Sequence, residues 1–521
     1  MLVKNIAEML RTRVNQSGEK IGIKYLGRAY TWSELLAQAH CLSLKLEKAG
    51  VGKGDVVGIY IDHSFAQVAA IFAIAFRDAV FTIINPQLVP DQAKHQIQDA
   101  SMKAIVGAEK YIAPLGDFFT NRMMVVELIE PEGYSSEELG DSPNIEPKTT
   151  TNIPADISNY IYTSGSTGLA KGVVVPHRTL LDGARIVSGY LGIKPEDRIL
   201  SILPFSFDYG LNQLLSCVYT GAEIVLQQFI FPKEVIDTLE REKITGLAVV
   251  PSIWPKILKA GLLDGIALPS LRYVTTAGGF HPPELLEKIA GFLPSTEIIV
   301  MYGLTESFRS TYLPFSEMRN RPGSIGRAVP EVEILVLNSE GQMCKPGERG
   351  ELVHRGAFVT YGYLNNPELN EKKFIHLNKN NKQCLPELAV RSGDEVSLDE
   401  DGFIYFHGRI DMQIKSSGYR ISPDEVAQAV LSTPGVSHAV VFGMPDEMLG
   451  QSIHVAYETY GNKEIDIFEI KRHAKESLAV YAIPHHYHLY EHLPLNANGK
   501  IDFNKLKKNI TENSSTVNGV R

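Results

Sequence analysis

Cysteine is scarce in this chain. There are four among 521 residues, Cys41, Cys217, Cys344 and Cys384, all far apart. They form no CxxC pair and no metal-ligand spacing, which excludes a disulfide-built scaffold and a thiolate metal site and leaves reduced, structural thiols. Long apolar runs are missing as well. The most apolar window, residues 68–84, is interrupted by Arg77 and Asp78 and is too short to cross a bilayer. Residues 1–16 have the spacing of an amphipathic helix, with Ile6, Met9 and Leu10 on one side, and lack the unbroken apolar stretch of a signal peptide. The expected location is therefore the cytoplasm, with no membrane partner. Basic residues are not in excess: 51 Lys and Arg stand against 60 Asp and Glu, a formal net charge of -9. Such a chain offers no clustered cations for phosphate backbones, so nucleic acid is excluded as the expected partner. No internal repeat is present.

What is there is an ordinary globular composition, 44% apolar and 21% charged, over a length that requires two or more domains. Helical spacing over residues 32–49 and 65–76 alternates with strand patterns at 56–61 and 80–84, which predicts α/β layers on a largely parallel sheet. Residues 130–155 are polar and read as a surface connection. The alternation resumes at Ile157 and runs to about Phe308. Residues 324–410 then carry short apolar runs between Gly, Asn and Asp, which predicts a small β-rich subdomain. Beyond Arg409, helices are predicted at 423–431 and 467–477 and strands at 438–442 and 453–457. Residues 511–521 are polar and are expected to be disordered.

One segment speaks of phosphate. A short strand at 159–163 runs into Thr163-Ser164-Gly165-Ser166-Thr167-Gly168-Leu169-Ala170-Lys171-Gly172 and then into a second strand at 173–176. The glycines permit tight turns that point N–H groups inward, the hydroxyls of Thr163, Ser164, Ser166 and Thr167 add donors, and Lys171 adds charge. A Walker A loop needs Gly-Lys followed by Ser or Thr and a helix. Here Lys171 lies between Ala170 and Gly172 and a strand follows, so this is a phosphate loop of another kind. A plain Gly/Ser hairpin turn is the competing reading of the segment taken alone.

At this point the chain resembles the adenylate-forming superfamily of acyl-CoA synthetases, peptide-synthetase adenylation domains and luciferases. The loop at 162–172 matches the family's Tyr-Thr-Ser-Gly-Ser/Thr-Thr-Gly-x-Pro-Lys-Gly, with Ala170 in place of proline. Residues 30–35 (YTWSEL), Tyr302-Gly303-Leu304-Thr305-Glu306, Arg391-Ser392-Gly393-Asp394, Gly408-Arg409-Ile410-Asp411 and residues 493–500 (LPLNANGK) follow in family order. The resemblance implies an α/β fold: a large N-terminal domain, residues 1–410, of two α/β subdomains plus a small β-rich one, and a small mobile α+β C-terminal domain, residues 411–521. It implies ATP and Mg2+ as cofactors. Tyr302 would stack on adenine beside Gly278 and Gly279, Thr305 would contact the α-phosphate, and Glu306 would hold Mg2+. Asp394 would accept the ribose hydroxyls, with Arg409 near ribose and phosphate. Lys500 would bridge the substrate carboxylate and the α-phosphate as pyrophosphate leaves.

The resemblance also implies two half-reactions, separated by rotation of the C-terminal domain about a hinge at Asp411. In the second position Lys500 is withdrawn and Gly418 lets a phosphopantetheine arm pass the backbone. The acceptor thiol would belong to CoA or to a separate carrier protein, since no condensation or carrier domain is read in these residues. Phe207 stands at the family's aromatic gate. Asp208 stands where amino-acid-activating members pair with an α-ammonium. Tyr209, Asn212, Val249, Thr275, Ala277, Met301, Arg309 and Ser310 complete an implied pocket whose polarity disfavours a long alkyl chain. Arg309 would meet a second carboxylate or a carbonyl of the substrate, or would pair with Asp208. Leu304, where peptide-synthetase domains usually have proline, points instead to acyl-CoA synthetases. An amino acid or a small polar acid is the expected substrate. Amide or ester synthesis without a thiol is the alternative. A regulator that has lost catalysis is disfavoured, because Lys500, Glu306 and Asp394 are all present.

Overall fold

A computed structural model of the chain describes residues 3–119, 124–127, 149–163, 170–251, 253–279, 281–377, 387–416, 419–446, 448–462, 465–478, 482–496 and 500–517. Local chemistry sets the first elements. Asn5 caps the helix Ile6–Ser17 by accepting from the Glu8 N–H, and Ile6, Met9 and Leu10 are buried, as the spacing predicts. The YTWSEL segment resolves into a stack and a cap. Tyr30 stacks on Phe65 at 3.8 Å between centroids, and Thr31 and Glu34 form a reciprocal capping box that starts the helix Trp32–Lys48. The helix Phe65–Ala75 is buried at every residue. That accounts for its lack of a polar face.

The helices pack on two sheets. The smaller has six strands in the order Met124–Glu127, Ala104–Gly107, Val56–Tyr60, Val80–Ile83, Ile157–Thr163, Lys171–Pro176. Its pairs are parallel except the last, Ile157–Thr163 with Lys171–Pro176, which is antiparallel. The two strands read on either side of the phosphate segment are therefore present and paired. The larger sheet has fourteen strands. At its centre Glu223–Leu226, Arg198–Ser201, Gly246–Val249, Tyr273–Thr276 and Glu297–Tyr302 run parallel.

The β-rich region predicted at 324–410 is not a separate sheet. Thr311–Leu313 pairs antiparallel with Glu297–Tyr302 on one side and with Ser324–Ala328 on the other. Ser324–Ala328 in turn pairs with Ile404–Arg409, so strand pairing continues, with bulges, from the α/β part into Glu387–Leu398, Gly350–Gly356 and Val332–Leu337. The polar connection at 314–323 conceals that continuity in the sequence.

A smaller C-terminal unit has its own core, which includes Ile414, Val426, Val430, Val441, Ile453, Val455 and Ile470. Helices Pro423–Leu431 and Ile467–Ser477 pack with a three-stranded sheet of Val436–Asp446, Gly450–Thr459 and His486–Leu489. The expectation of a disordered tail is corrected: the helix Phe503–Val517 carries the chain through most of it. Leu506 and Ile510 are buried against Phe442, Ala456 and Leu493, which anchors that helix. Cys41, Cys217 and Cys344 are free thiols, and Cys384 lies outside the described residues. Among the described residues no helix is long and apolar enough to cross a membrane.

Candidate active site

The site residues gather beyond the carboxyl ends of the parallel strands of the larger sheet, where open α/β sheets place their ligands. Val249 ends one strand, Ala277 follows the next, and Met301 and Tyr302 end the third. Each strand end is followed by a sharp loop. Gly278 adopts φ +90°, which a side chain would resist. After Tyr302 the chain folds back on itself. A Cβ on Gly303 would lie 2.5 Å from the Phe308 carbonyl oxygen, and Phe308 itself sits at φ +53°. The motif glycine is thus required by a turn, and that turn carries Thr305, Glu306 and Arg309.

On one side Tyr302, Asp394 and Arg409 meet. The Tyr302 hydroxyl donates to Asp394, and the Arg409 guanidinium lies 3.1 Å from the other carboxylate oxygen. Asp394 and Arg409 are register partners on neighbouring strands, so their separation in sequence is closed by the ladder. Burial beside Asp394 holds the Tyr302 phenol well above its usual pKa, so it remains a donor. Glu306 is fixed twice. Its carbonyl accepts from the Thr360 N–H (3.1 Å) and hydroxyl (2.9 Å), and one carboxylate oxygen accepts from the Tyr363 hydroxyl. The other carboxylate oxygen has no hydrogen-bond partner among the described residues. A hard oxygen donor held in this way fits Mg2+.

On the other side lies the helix Asp208–Thr220. A Cβ on Gly210 would sit 2.3 Å from the Pro204 carbonyl oxygen, so glycine there lets residues 204–207 fold over the helix start and set Phe207 beside Asp208. Asp208 is 4% exposed. One carboxylate oxygen accepts from the Thr305 hydroxyl at 3.5 Å. Burial pushes its carboxyl up, and the charges of Arg309 and Lys500 oppose that shift. The alternative in which Arg309 pairs with Asp208 is not realised: the Arg309 charge acts on Asp208, but no ion pair within 4 Å joins them among the described residues. Tyr209, Asn212, Val249, Thr275, Ala277, Met301 and Arg309 are all buried. The Tyr209 hydroxyl meets that of Thr275 at 2.6 Å, and the Arg309 guanidinium lies 4.8 Å over the Tyr209 ring. Ser310 faces elsewhere, bonded to His354 Nδ1 at 2.9 Å.

Lys500 comes from the C-terminal unit. Asn496 bonds it twice through the backbone, its side-chain oxygen accepting from the Lys500 N–H at 3.0 Å and its own N–H donating to the Lys500 carbonyl at 2.7 Å. The ammonium lies 5.3 Å from the centre of the Phe207 ring. Asp411 lies in the short helical turn Ile410–Met412 that directly follows strand Ile404–Arg409. Thr163 and Lys171 are register partners at the mouth of the phosphate loop. Ser164, Gly165, Ser166, Thr167, Gly168 and Gly418 lie outside the described residues.

Three residues at the site escape sequence reasoning. Tyr363 holds Glu306 across 57 positions, Tyr190 donates to the Met301 sulfur at 2.9 Å across 111, and Asp424 lies against Gly408. No spacing or motif marks them, because only the folded chain brings them to their partners.

The AMP-binding enzyme family model matches residues 10–364, and the AMP-binding enzyme C-terminal domain matches residues 425–500. Delta-poly-L-ornithine synthetase of Acinetobacter baumannii (strain AB307-0294) is 29% identical over 94% of this chain, which spans 35% of that protein. Zwittermicin A synthase ZmaJ of Bacillus cereus is 26% identical over 95% of this chain and 93% of its own length. Among solved structures, O-succinylbenzoate Coenzyme A Synthetase (MenE) from Bacillus subtilis, in complex with ATP and magnesium ion, superposes with a TM-score of 0.80 at 26% identity, covering 96% of this chain and 99% of that one. With both family models placed in order along a fold of this architecture, the chain belongs to the adenylate-forming family of AMP-binding enzymes.

Proposed function

We propose that this chain is an AMP-forming acid–thiol ligase acting on an amino acid or a small polar acid. In the first half-reaction a carboxylate oxygen of the acid attacks the α-phosphorus of ATP, an O–P bond forms, and pyrophosphate leaves. In the second a thiolate attacks the acyl carbon, a thioester forms, and AMP leaves. The thiol is the phosphopantetheine of CoA or of a carrier protein. A cytoplasmic location suits a reaction that consumes ATP and a reduced thiol.

The observation that carries this reading is the approach of Lys500 to Phe207 and Asp208, on the same side of the sheet as Thr305 and Glu306. A mobile cation poised between an acid-binding pocket and a phosphate-binding motif offsets the charge that gathers when one anion attacks another. Tyr302, Asp394 and Arg409 bind the nucleoside, with Gly278 and Gly279 leaving room for the base. Thr163 and Lys171 frame the loop that grips the departing phosphates. Mg2+, held by Glu306, supplies charge neutralisation on those phosphates when bound. The polarity of the implied pocket disfavours long alkyl chains, and the thiol acceptor is preferred to an amine or alcohol on the Gly418 segment. Lys500→Ala should abolish acid-dependent ATP–pyrophosphate exchange while a supplied acyl-adenylate is still converted to thioester. Equal loss of both half-reactions would refute the assignment.

A further inference from the structure

Arg309 is 2% exposed, and its guanidinium has no carboxylate within ion-pair distance among the described residues. Two of its three nitrogens, Nε and Nη2, are buried without a hydrogen-bond partner. These two form one edge of the guanidinium, the edge whose parallel N–H bonds match the two oxygens of a carboxylate. The protein uses the same edge elsewhere: Arg272 holds Asp197 through Nε at 3.0 Å and Nη2 at 2.6 Å. At Arg309 that edge is buried and lacks its acceptor.

The neighbouring groups do not supply one. The Tyr209 hydroxyl is engaged with Thr275, and the Tyr190 hydroxyl with Met301. Asp208 shares the pocket and feels the charge of Arg309, but its side-chain contact is with Thr305. A guanidinium cannot shed its proton, so its burial is stable only opposite an anion or well-placed acceptors. A carbonyl would satisfy one of the two donors. A carboxylate satisfies both and balances the charge.

We propose that the acid this enzyme activates carries a second carboxylate, seated on the Nε–Nη2 edge of Arg309 while the reacting carboxylate faces Lys500. The inference rests on the adenylation reading and narrows it to dicarboxylic acids, with or without an amino group for Asp208. Arg309 is then the residue that selects the substrate.

The test is ATP–pyrophosphate exchange by the full chain with matched acids: succinate against butyrate, glutarate against valerate, and glutamate against norvaline. At least one diacid should exceed its monoacid partner in kcat/KM by about 100-fold or more, as expected where a site built to bond a polar group is offered an analogue lacking it. Arg309→Gln should erase that preference, chiefly through KM for the diacid, and Arg309→Lys should retain only part of it. Exchange with monoacids and with none of the diacids overturns the proposal and leaves adenylation standing. Exchange with no acid of either kind overturns adenylation and the proposal with it. A diacid preference that persists in folded Arg309→Gln also overturns it. If that variant does not fold, the wild-type panel decides.

Discussion

The Tyr363 hydroxyl donates to one oxygen of Glu306, and burial beside that carboxylate keeps the phenol protonated well past its ordinary range. Thr360 fixes the backbone of Glu306, and Tyr363 fixes its side chain. A hydrogen bond to a charged group is worth about 1.5–3 kcal/mol, so losing it frees the carboxylate to rotate out of the position proposed for holding Mg2+. Tyr363→Phe should therefore lower exchange by about 10-fold or more and raise the Mg2+ concentration needed for half-maximal rate, with KM for the acid unchanged. An unaltered Mg2+ titration would remove Tyr363 from the site. The motif residues Tyr302, Glu306 and Asp394 were legible in the sequence because the family repeats them in fixed order. Tyr363 and Tyr190 were not, because neither has a local signature. Asp208 and Arg309 were legible as charges, yet their failure to form a pair depends on distances below the reach of a sequence.

Among the elements, helices with both a cap and a period were readable. Pro423–Leu431 and Ile467–Ser477 match the expected bounds, each with an oxygen-bearing cap, Ser422 or Asp466. The joining of the β-rich part to the larger sheet was not readable, since strand pairing across polar connections leaves no periodic trace. The junction of strand Ile404–Arg409 with the helix Pro423–Leu431 shows another effect invisible in sequence. Gly408 has φ +138°, and a Cβ there would lie 2.4 Å from Ser422 Oγ and 3.1 Å from Asp424 Oδ2. Crowded at that contact, the Asp424 carboxyl is pushed up to about 6 by burial and by the charge of Asp394, against the opposing pull of Arg409. A folded-state pKa above the unfolded value means that stability is lost as pH rises from the usual carboxylate range through about 6. Two pKa units correspond to about 3 kcal/mol. Asp424→Asn keeps an acceptor for the Arg409 N–H and removes the charge. It should raise the melting temperature at pH about 8 and leave it unchanged near pH about 4, where the wild-type group is already neutral. A pH-independent shift would contradict the assignment.

At the scale of the whole molecule, the proposed two-step reaction would require two incompatible arrangements around the Phe207 ring. The Lys500 ammonium lies over it now, brought there by the C-terminal unit. A thiol arm that reaches an adenylate past Phe207 needs that ammonium elsewhere, so one fixed arrangement cannot serve both half-reactions. On the proposed two-position cycle, a rotation would concentrate at the turn Ile410–Met412, between the ladder of the large sheet and the core of the small unit, where the family resemblance implies a hinge at Asp411. The hairpin strands Ile414–Ser416 and Tyr419–Ile421 flank Gly418 and belong to the unit that would turn. On this account, bulk at Gly418 obstructs the thiol only after rotation, whereas loss of Lys500 acts only before it. Gly418→Leu should keep ATP–pyrophosphate exchange within about 3-fold of wild type and depress thioester formation from a supplied adenylate by about 100-fold or more. That is the mirror image of Lys500→Ala. Single-turnover measurements of each half-reaction check the pair. Wild-type thioester rates in Gly418→Leu would sink the passage past Gly418, and parallel losses in both half-reactions would show that the two positions do not alternate.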